Sequence, residues 1–431
     1  MSTLRLGVAK IDISPEQYVP LAGFGNRKGL MEGVAAPIFL RANAFIQRVD
    51  GVERRALVVQ ADIIWWGPER MEGIRRRLAD SFGLKPELMI LSATHTHGAP
   101  QTTFAFIETL GLPETAYIEQ LEESLIEAVR EAFERAEPVR IERGRGECRI
   151  GIHRRKLVDG IMEMAPNPDG PLDPHVELVR FITDSGDTSA VWLHYTCHPT
   201  TTGVNSLHGD FPGAASERLE MYLGGGAVVS FLQGCCGDTR PALIRDNKFY
   251  SGTLEEAEEL GLQLADAAEE VFAAGRFASI EPGILDGRQV VVGLPFQPLP
   301  SMAEIAATAD HPGVPSEWAR KLTSQPELLQ PEIPLELTKL ELAPDLSLLA
   351  MNGEIVLEYG LKVKRLSGGS TLPLGYCNGM VGYVPTAAQV DEGGYEGGGS
   401  SKLFSLPAVF DRSLEQVIEA GIAELTKQKG R

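Results

Sequence analysis

Leu88-Met89-Ile90-Leu91-Ser92-Ala93-Thr94-His95-Thr96-His97-Gly98-Ala99-Pro100 is an apolar run that ends in two histidines two residues apart, followed by a Gly-Ala-Pro loop. Side chains at i and i+2 of an extended segment share a face, so both imidazoles are expected on one side of the chain, beside a loop that can admit ligand. Metal sites are commonly begun this way. Seven of the eight histidines fall between His95 and His208, which concentrates the chemistry in that region. Taken alone, two polar residues at a strand end carry little; the rest of the chain supplies the context.

This run reads as the second strand of a strand–helix–strand unit, and the unit recurs. In the first copy, residues 55–60 form the leading strand, Ala61-Asp62 closes it, and Met71, Ile74 and Leu78 stand at helical spacing before the histidine run. In the second, residues 190–195 lead to Cys197-His198-Pro199, a helix carries Ala214, Ala215, Leu219 and Tyr222, and residues 227–232 run into Gln233-Gly234-Cys235-Cys236-Gly237-Asp238. In the third, residues 346–351 end at Asn352-Gly353-Glu354, a helix-like stretch reaches Leu366, and residues 371–376 lead to a loop over 378–383. Strand–helix–strand of this length predicts parallel strands with a right-handed crossover. Loops at the carboxyl ends of such strands lie on one edge of a sheet, where α/β proteins place ligands. The expected fold is therefore α/β, with a mixed sheet or sheets built from these units around a central metal site. The pattern leaves open whether the units share one sheet.

Composition narrows the function. The chain has 431 residues, 43% hydrophobic and 23% charged, ordinary for a globular enzyme. A net charge of −19 argues against nucleic acid or an anionic membrane surface as the main partner and for a small-molecule substrate. No stretch reaches the roughly 18 apolar residues of a membrane span. Met1-Ser2-Thr3-Leu4-Arg5 leads into strand-like sequence without an apolar leader, so a cytoplasmic location is expected. Cys148, Cys197, Cys235, Cys236 and Cys377 are odd in number and lack CxxC spacing, which speaks against a disulfide scaffold or a zinc ribbon.

Longer amphipathic stretches at 115–136, 253–274 and 413–427 predict helices; Thr253-x-x-Glu256 and Ser413-x-x-Gln416 read as capping boxes. Residues 294–334 carry eight prolines and read as a lid or linker within a single domain over 1–431. Gly397-Gly398-Gly399-Ser400-Ser401-Lys402 lacks phosphate-loop spacing and reads as a flexible turn, and Gly23-Phe24-Gly25 lacks the context of a dinucleotide fingerprint.

Four residues on the predicted loops can ligate a metal: His95, His198, Glu354 and Tyr383. Two imidazoles and a carboxylate with one position open is a catalytic zinc set, a tyrosine being the rarer fourth donor. Singly, His198 reads equally well as a core histidine before a proline turn, and Glu354 as a carboxylate favoured by a helix N-terminus. Cys235 or Cys236 offers a thiol nucleophile, although adjacent cysteines at a strand corner are more often packing residues. There is no GxSxG elbow for a serine hydrolase.

These segments, in this order, resemble the neutral/alkaline non-lysosomal ceramidase family in its N-terminal catalytic region. The likeness is carried by Val8 to Pro15, Leu21-Ala22-Gly23-Phe24-Gly25, Leu40-Arg41-Ala42, Ser92 to Pro100, His198-Pro199, Gly209-Asp210, Gly237-Asp238, Gly353-Glu354, Tyr383-Val384-Pro385-Thr386 and Tyr395-Glu396. The resemblance implies one zinc per chain, held by His95, His198, Glu354 and Tyr383, with His97 beside the substrate. The family's Asn-Arg pair falls on His153-Arg154. Its Gly-Asp-x-Ser-Pro motif, whose serine has a nucleophilic or proton-transfer role, reads Gly237-Asp238-Thr239-Arg240-Pro241 here. Arginine has no hydroxyl and stays protonated, so it cannot replace that serine. The family's further C-terminal β-sandwich domain is expected to be absent.

The function expected from all this is a zinc-dependent hydrolase whose metal-activated water cleaves an amide or ester bond of a small, acidic substrate. His97 would move the proton or hold the oxyanion. Asp238 and Asp210 would orient a ligand histidine or the water. Arg240 and Arg154 would clamp a substrate anion. The alternatives are an inactive metal-binding relative, a true N-acylsphingosine amidohydrolase, and a cysteine-dependent enzyme.

Overall fold

All three strand–helix–strand units are present, and each closes as a parallel pair. The computed structural model describes residues 3–427. Val52–Ala61 pairs in parallel with Met89–Ala93 around helix Met71–Phe82. Thr188–Tyr195 pairs with Val228–Gln233 around Asp210–Leu223, and Leu346–Met351 with Thr371–Leu374 around Leu357–Leu366. The helices form because their apolar positions recur on one face: Met71, Ile74, Leu78 and Phe82 are all buried against the sheet.

The units do not share one sheet. The first two lie at opposite ends of a nine-stranded sheet, in the order Val228–Gln233, Thr188–Tyr195, His175–Thr183, Glu137–Glu147, Leu4–Asp12, Phe39–Val49, Val52–Ala61, Met89–Ala93; Phe277–Ile280 pairs with Glu137–Glu147 off this path. Between the parallel ends every pairing is antiparallel. The third unit belongs to a four-stranded sheet with Asp286–Pro295 and Glu332–Ala343.

Side-chain packing folds the long sheet over. Phe45, Phe181 and Trp192 pack in tilted and edge-on contacts with ring centroids 5.0–5.6 Å apart. Trp192 Nε1 donates to Asn43 Oδ1 (3.2 Å), and Asn43 Nδ2 donates to Ser230 Oγ (3.0 Å). Leu340, Leu348, Leu372 and Leu374 of the smaller sheet share that core. Backbone bonds then tie the carboxyl ends of the three units together. Gly375 N donates to Gln233 O (3.3 Å), Tyr376 N to Gly353 O (3.0 Å), and Ala93 N to Tyr376 O (3.1 Å). The strand ends predicted to carry chemistry therefore meet at one place.

Three expectations need correction. Residues 294–334 are not structureless: Met302–Thr308 and Val314–Ser324 are helices, and Ile305, Trp318 and Leu322 bury an apolar cluster with Ile107. Ser301 and Glu304 form a capping box there, and Trp318 Nε1 donates to Leu406 O (2.7 Å). Ser413 makes no capping box with Gln416, because its hydroxyl donates instead to Asp411 Oδ1 (2.6 Å); Thr253 and Glu256 do cap Leu254–Ala273. The glycine-rich stretch at 397–402 is wound into the short helical turns Tyr395–Gly399 and Ser401–Phe404. Among the described residues, no helix is long and apolar enough to cross a membrane.

Candidate metal centre

His95 lies two residues beyond the end of its strand, not on it, and adopts a left-handed backbone (φ +66°). That conformation is strained for a residue with a side chain, and structure around it must hold it there. Its N–H donates to Ile63 O (3.0 Å), its Nδ1 bonds Ile64 O (2.8 Å), and the Tyr376 ring stacks on it at 4.1 Å. His198 N donates to Thr239 O (3.1 Å), and its Nδ1 bonds Cys236 O (3.2 Å). A carbonyl only accepts, so each Nδ1 carries the proton and each Nε2 presents a lone pair.

Those two lone pairs face each other at 2.9 Å. The His97 Nε2 is 3.4 Å from that of His95, so both imidazoles of the pair do point to one place, brought there by a turn instead of strand alternation. His95, His97 and His198 thus form a cluster of nitrogen donors. Glu354 places Oε2 at 3.4 Å from His95 Nε2 and 3.6 Å from His198 Nε2. That oxygen is buried without a hydrogen-bond partner. Glu354 and Tyr383 are register partners in a short parallel ladder, which brings the two distant segments side by side. Tyr383 stacks parallel to His198 at 6.5 Å.

Burial pushes the proton affinities of His97 and His198 well down, and neighbouring histidines and Arg154 add to the effect. Those two imidazoles are therefore neutral. Neutral nitrogen lone pairs converge on a desolvated carboxylate oxygen that has no donor, an arrangement costly unless a cation supplies the missing charge. The donor set of imidazole, carboxylate and phenol oxygen fits zinc.

Other expected site residues take different parts. Arg154 Nε donates to Glu396 Oε1 (2.7 Å) and Nη2 to Tyr383 Oη (2.9 Å), so its guanidinium holds protein groups and is not a free anion clamp. Arg155 Nη1 binds the other Glu396 oxygen (2.9 Å). Asp238 does not orient a ligand histidine: Oδ1 accepts from Leu357 N (2.9 Å), capping the helix after Glu354, and Oδ2 accepts from Gln389 Nε2 (2.9 Å). Asp210 accepts from Thr201 N (3.0 Å) and Thr201 Oγ1 (2.6 Å), bracing the loop after His198. Main-chain carbonyls do the orienting instead. Cys235 and Cys236 are buried, which drives both thiols up and keeps them protonated, against a cysteine nucleophile.

Sequence reasoning gave no role in the site to three contributors. Glu396 sits beside a glycine run that reads as a loop. Tyr376 has no motif of its own; a tyrosine between Gly375 and Cys377 at the end of an apolar strand was the available signal. The Gly23-Phe24-Gly25 segment cradles His97: a side chain at Gly23 (φ +94°) would meet the His97 ring at 2.2 Å, and Phe24 lies 4.7 Å from it. Arg27 donates to the His97 carbonyl and to Ala22 O (3.1 Å) and Val204 O (2.8 Å).

Fold and site define a mixed α/β protein whose three strand–helix–strand units deliver metal-type ligands to one buried point. Residues 4–258 match the family described as neutral/alkaline non-lysosomal ceramidase, N-terminal, and the chain belongs to that family. The neutral ceramidase of Mycobacterium tuberculosis is 23% identical over 441 residues, spanning 83% of this chain and 68% of that protein. The crystal structure of neutral ceramidase from Pseudomonas aeruginosa superposes with a TM-score of 0.76 at 18% identity, over 99% of this chain and 75% of that one. A ceramidase structure complexed with C2 gives the same figures.

Proposed function

We propose that this chain is a zinc-dependent hydrolase of a carbon–nitrogen bond, holding one zinc on His95, His198, Glu354 and Tyr383. The observation that carries the reading is the convergence of two imidazole lone pairs on the partnerless Glu354 oxygen, within 2.9–3.6 Å. Zinc bound there would supply a Lewis acid that polarises a carbonyl and acidifies water.

The chain's own groups fit an amide cleavage. His97 is neutral and less buried than His95 or His198, and its Nε2 turns into the cluster 3.4 Å from His95 Nε2, so that nitrogen can take a proton and pass it to a leaving amine. Arg154 fixes the Tyr383 hydroxyl from behind, and Glu396 fixes Arg154. An N-acyl compound is favoured as substrate because the relatives are named as ceramidases.

The test is elemental analysis of the purified protein by plasma mass spectrometry, beside a His95→Ala/His198→Ala double variant, with amine release from N-acyl compounds measured in parallel. About one zinc per chain, lost in the variant, together with turnover, supports the reading. Absence of bound metal after zinc supplementation refutes the ligand set. Zinc without turnover of any N-acyl compound, ceramide included, favours the second reading, an inactive metal-binding relative, for which Arg240 in place of the family's serine is the specific observation.

A further inference from the structure

Arg240 is a cation without a counter-ion. Among the described residues no carboxylate forms an ion pair with it. Its guanidinium lies over the Phe249 ring (4.5 Å), Nη1 reaches only Met164 Sδ (3.9 Å), and Nε is buried without a partner. Burial and nearby Arg154 lower its pKa to about 10, so it remains charged at neutral pH in a place that disfavours charge. The cost of such a group is recovered when an anion meets it.

Its strand runs beside the candidate metal centre. The strand Thr239–Pro241 pairs with Gly151–Val158 so that Arg240 faces Ile152, two residues before Arg154, which puts both guanidiniums on one face. The residue before it, Thr239, accepts the main-chain bond that positions His198. Counting hydrogen-bond partners around it selects the ligand site. Arg154 and Arg155 are matched by Glu396 and Glu392, and Arg27 is committed to carbonyl oxygens. Of these guanidiniums, Arg240 alone has no oxygen partner among the described residues, and its planar fork is suited to two parallel bonds.

We infer that Arg240 anchors a single carboxylate on the substrate, so that the N-acyl compound cleaved here is an acid. The hydrolase reading above supplies only the bond that is cleaved; the anion site stands on Arg240 itself. Phe249 and Met164 flank the fork with apolar surface, which suits a carboxylate carried on a short hydrocarbon linker.

The test separates binding from turnover. In the zinc-loaded protein, calorimetry compares 4-oxononanoate, an analogue of N-hexanoylglycine with no carbon–nitrogen bond, with the neutral 4-oxononanamide. The carboxylate should bind about 10- to 100-fold more tightly, the worth of a charge-assisted bidentate contact. Arg240→Gln should abolish that preference and Arg240→Lys should keep part of it. In parallel, the ratio of kcat/KM for N-hexanoylglycine over N-hexanoylethanolamine should fall by the same factor in Arg240→Gln. An acid preference that is absent in the wild type, or that survives in Arg240→Gln, overturns the inference. Arg240-dependent binding without hydrolysis of either amide leaves the anion site standing and removes the hydrolase reading. Equal hydrolysis of both amides by the wild type does the reverse.

Discussion

Replacing Glu396 by glutamine tests whether the cluster behind Tyr383 is held by charge. The carboxylate is 3% exposed and accepts from Arg154 Nε at 2.7 Å and Arg155 Nη1 at 2.9 Å. Hydrogen bonds to charged groups contribute about 1.5–3 kcal/mol each. Glutamine keeps one acceptor oxygen, but its amide N–H groups then face a guanidinium, Arg154 loses its carboxylate, and Arg155 keeps only the half-exposed Glu392. The expected loss is about 3–5 kcal/mol, the range for breaking a buried pair from one side. Burial raises the Glu396 proton affinity, but the two arginines outweigh it and hold the carboxyl below its usual range. Its stabilisation is therefore full above the unfolded glutamate pKa of about 4.3 and fades as pH falls below it. Urea unfolding followed by tryptophan fluorescence, in the presence of a chelator, should show the gap between wild type and Glu396→Gln narrowing in acid. Adding Arg155→Met should recover part of the loss, since the double variant buries one charge fewer. A loss under about 1 kcal/mol at pH 7, or one that does not change on acidification, would refute the reasoning.

Three further outcomes follow from the same contacts. Asp238→Ala should cost about 1–2 kcal/mol through the lost helix cap while zinc content stays unchanged; loss of zinc at unchanged stability would restore Asp238 as a ligand-orienting group. His194, fully buried and donating to Pro373 O (2.9 Å), is pushed down to about 4, first by burial and then by Lys364. Its contribution is complete above the unfolded histidine pKa of about 6.5 and disappears toward pH 4, so His194→Gln should lose about 3 kcal/mol less than wild type between pH 7 and 4; parallel pH curves count against it. Iodoacetamide should leave native activity intact while a chelator removes it, whereas inactivation that tracks labelling of Cys235 or Cys236 would favour a thiol mechanism.

The repeating strand–helix–strand pattern was legible because both periods are local: apolar runs bounded by polar loops, then apolar residues three and four apart. That local signal found all three parallel pairs. It could not show that Leu4–Asp12 joins Glu137–Glu147, or that the sheet closes with Phe45 on Phe181 and Trp192, because those contacts join residues more than a hundred positions apart. Candidate ligands were legible for a related reason, since each sits at the end of an apolar run. Roles depending on long-range partners were not. Nothing near Arg154 in sequence announces Glu396, and nothing near Asp238 announces the main-chain N–H of Leu357. Arg240 was visible as a departure from the family's serine, but only the absence of a carboxylate around it distinguishes a free cation from a structural one.

The way the proposed ligands are held links the candidate metal centre to the sheets. His95 follows the second strand of its unit and is oriented by the carbonyl of Ile64, just after the first strand. His198 follows the first strand of its unit and is oriented by Cys236, after the second. Each imidazole and its orienting carbonyl therefore straddle one parallel pair. A slip in that pairing would move ligand and orienting group apart. Carbonyl oxygens are weaker bases than carboxylates, so these imidazoles would leave more positive charge on a bound metal than carboxylate-supported ones. Among the described residues Glu354 is the one carboxylate in direct reach of both imidazoles, and its partner in the ladder, Tyr383, is braced by Arg154. The third unit thus supplies the negative charge and the first two supply neutral nitrogen. Because backbone bonds through Gly375, Tyr376 and Ala93 join the three strand ends, the geometry of the site belongs to the closure of the sheets more than to any single loop.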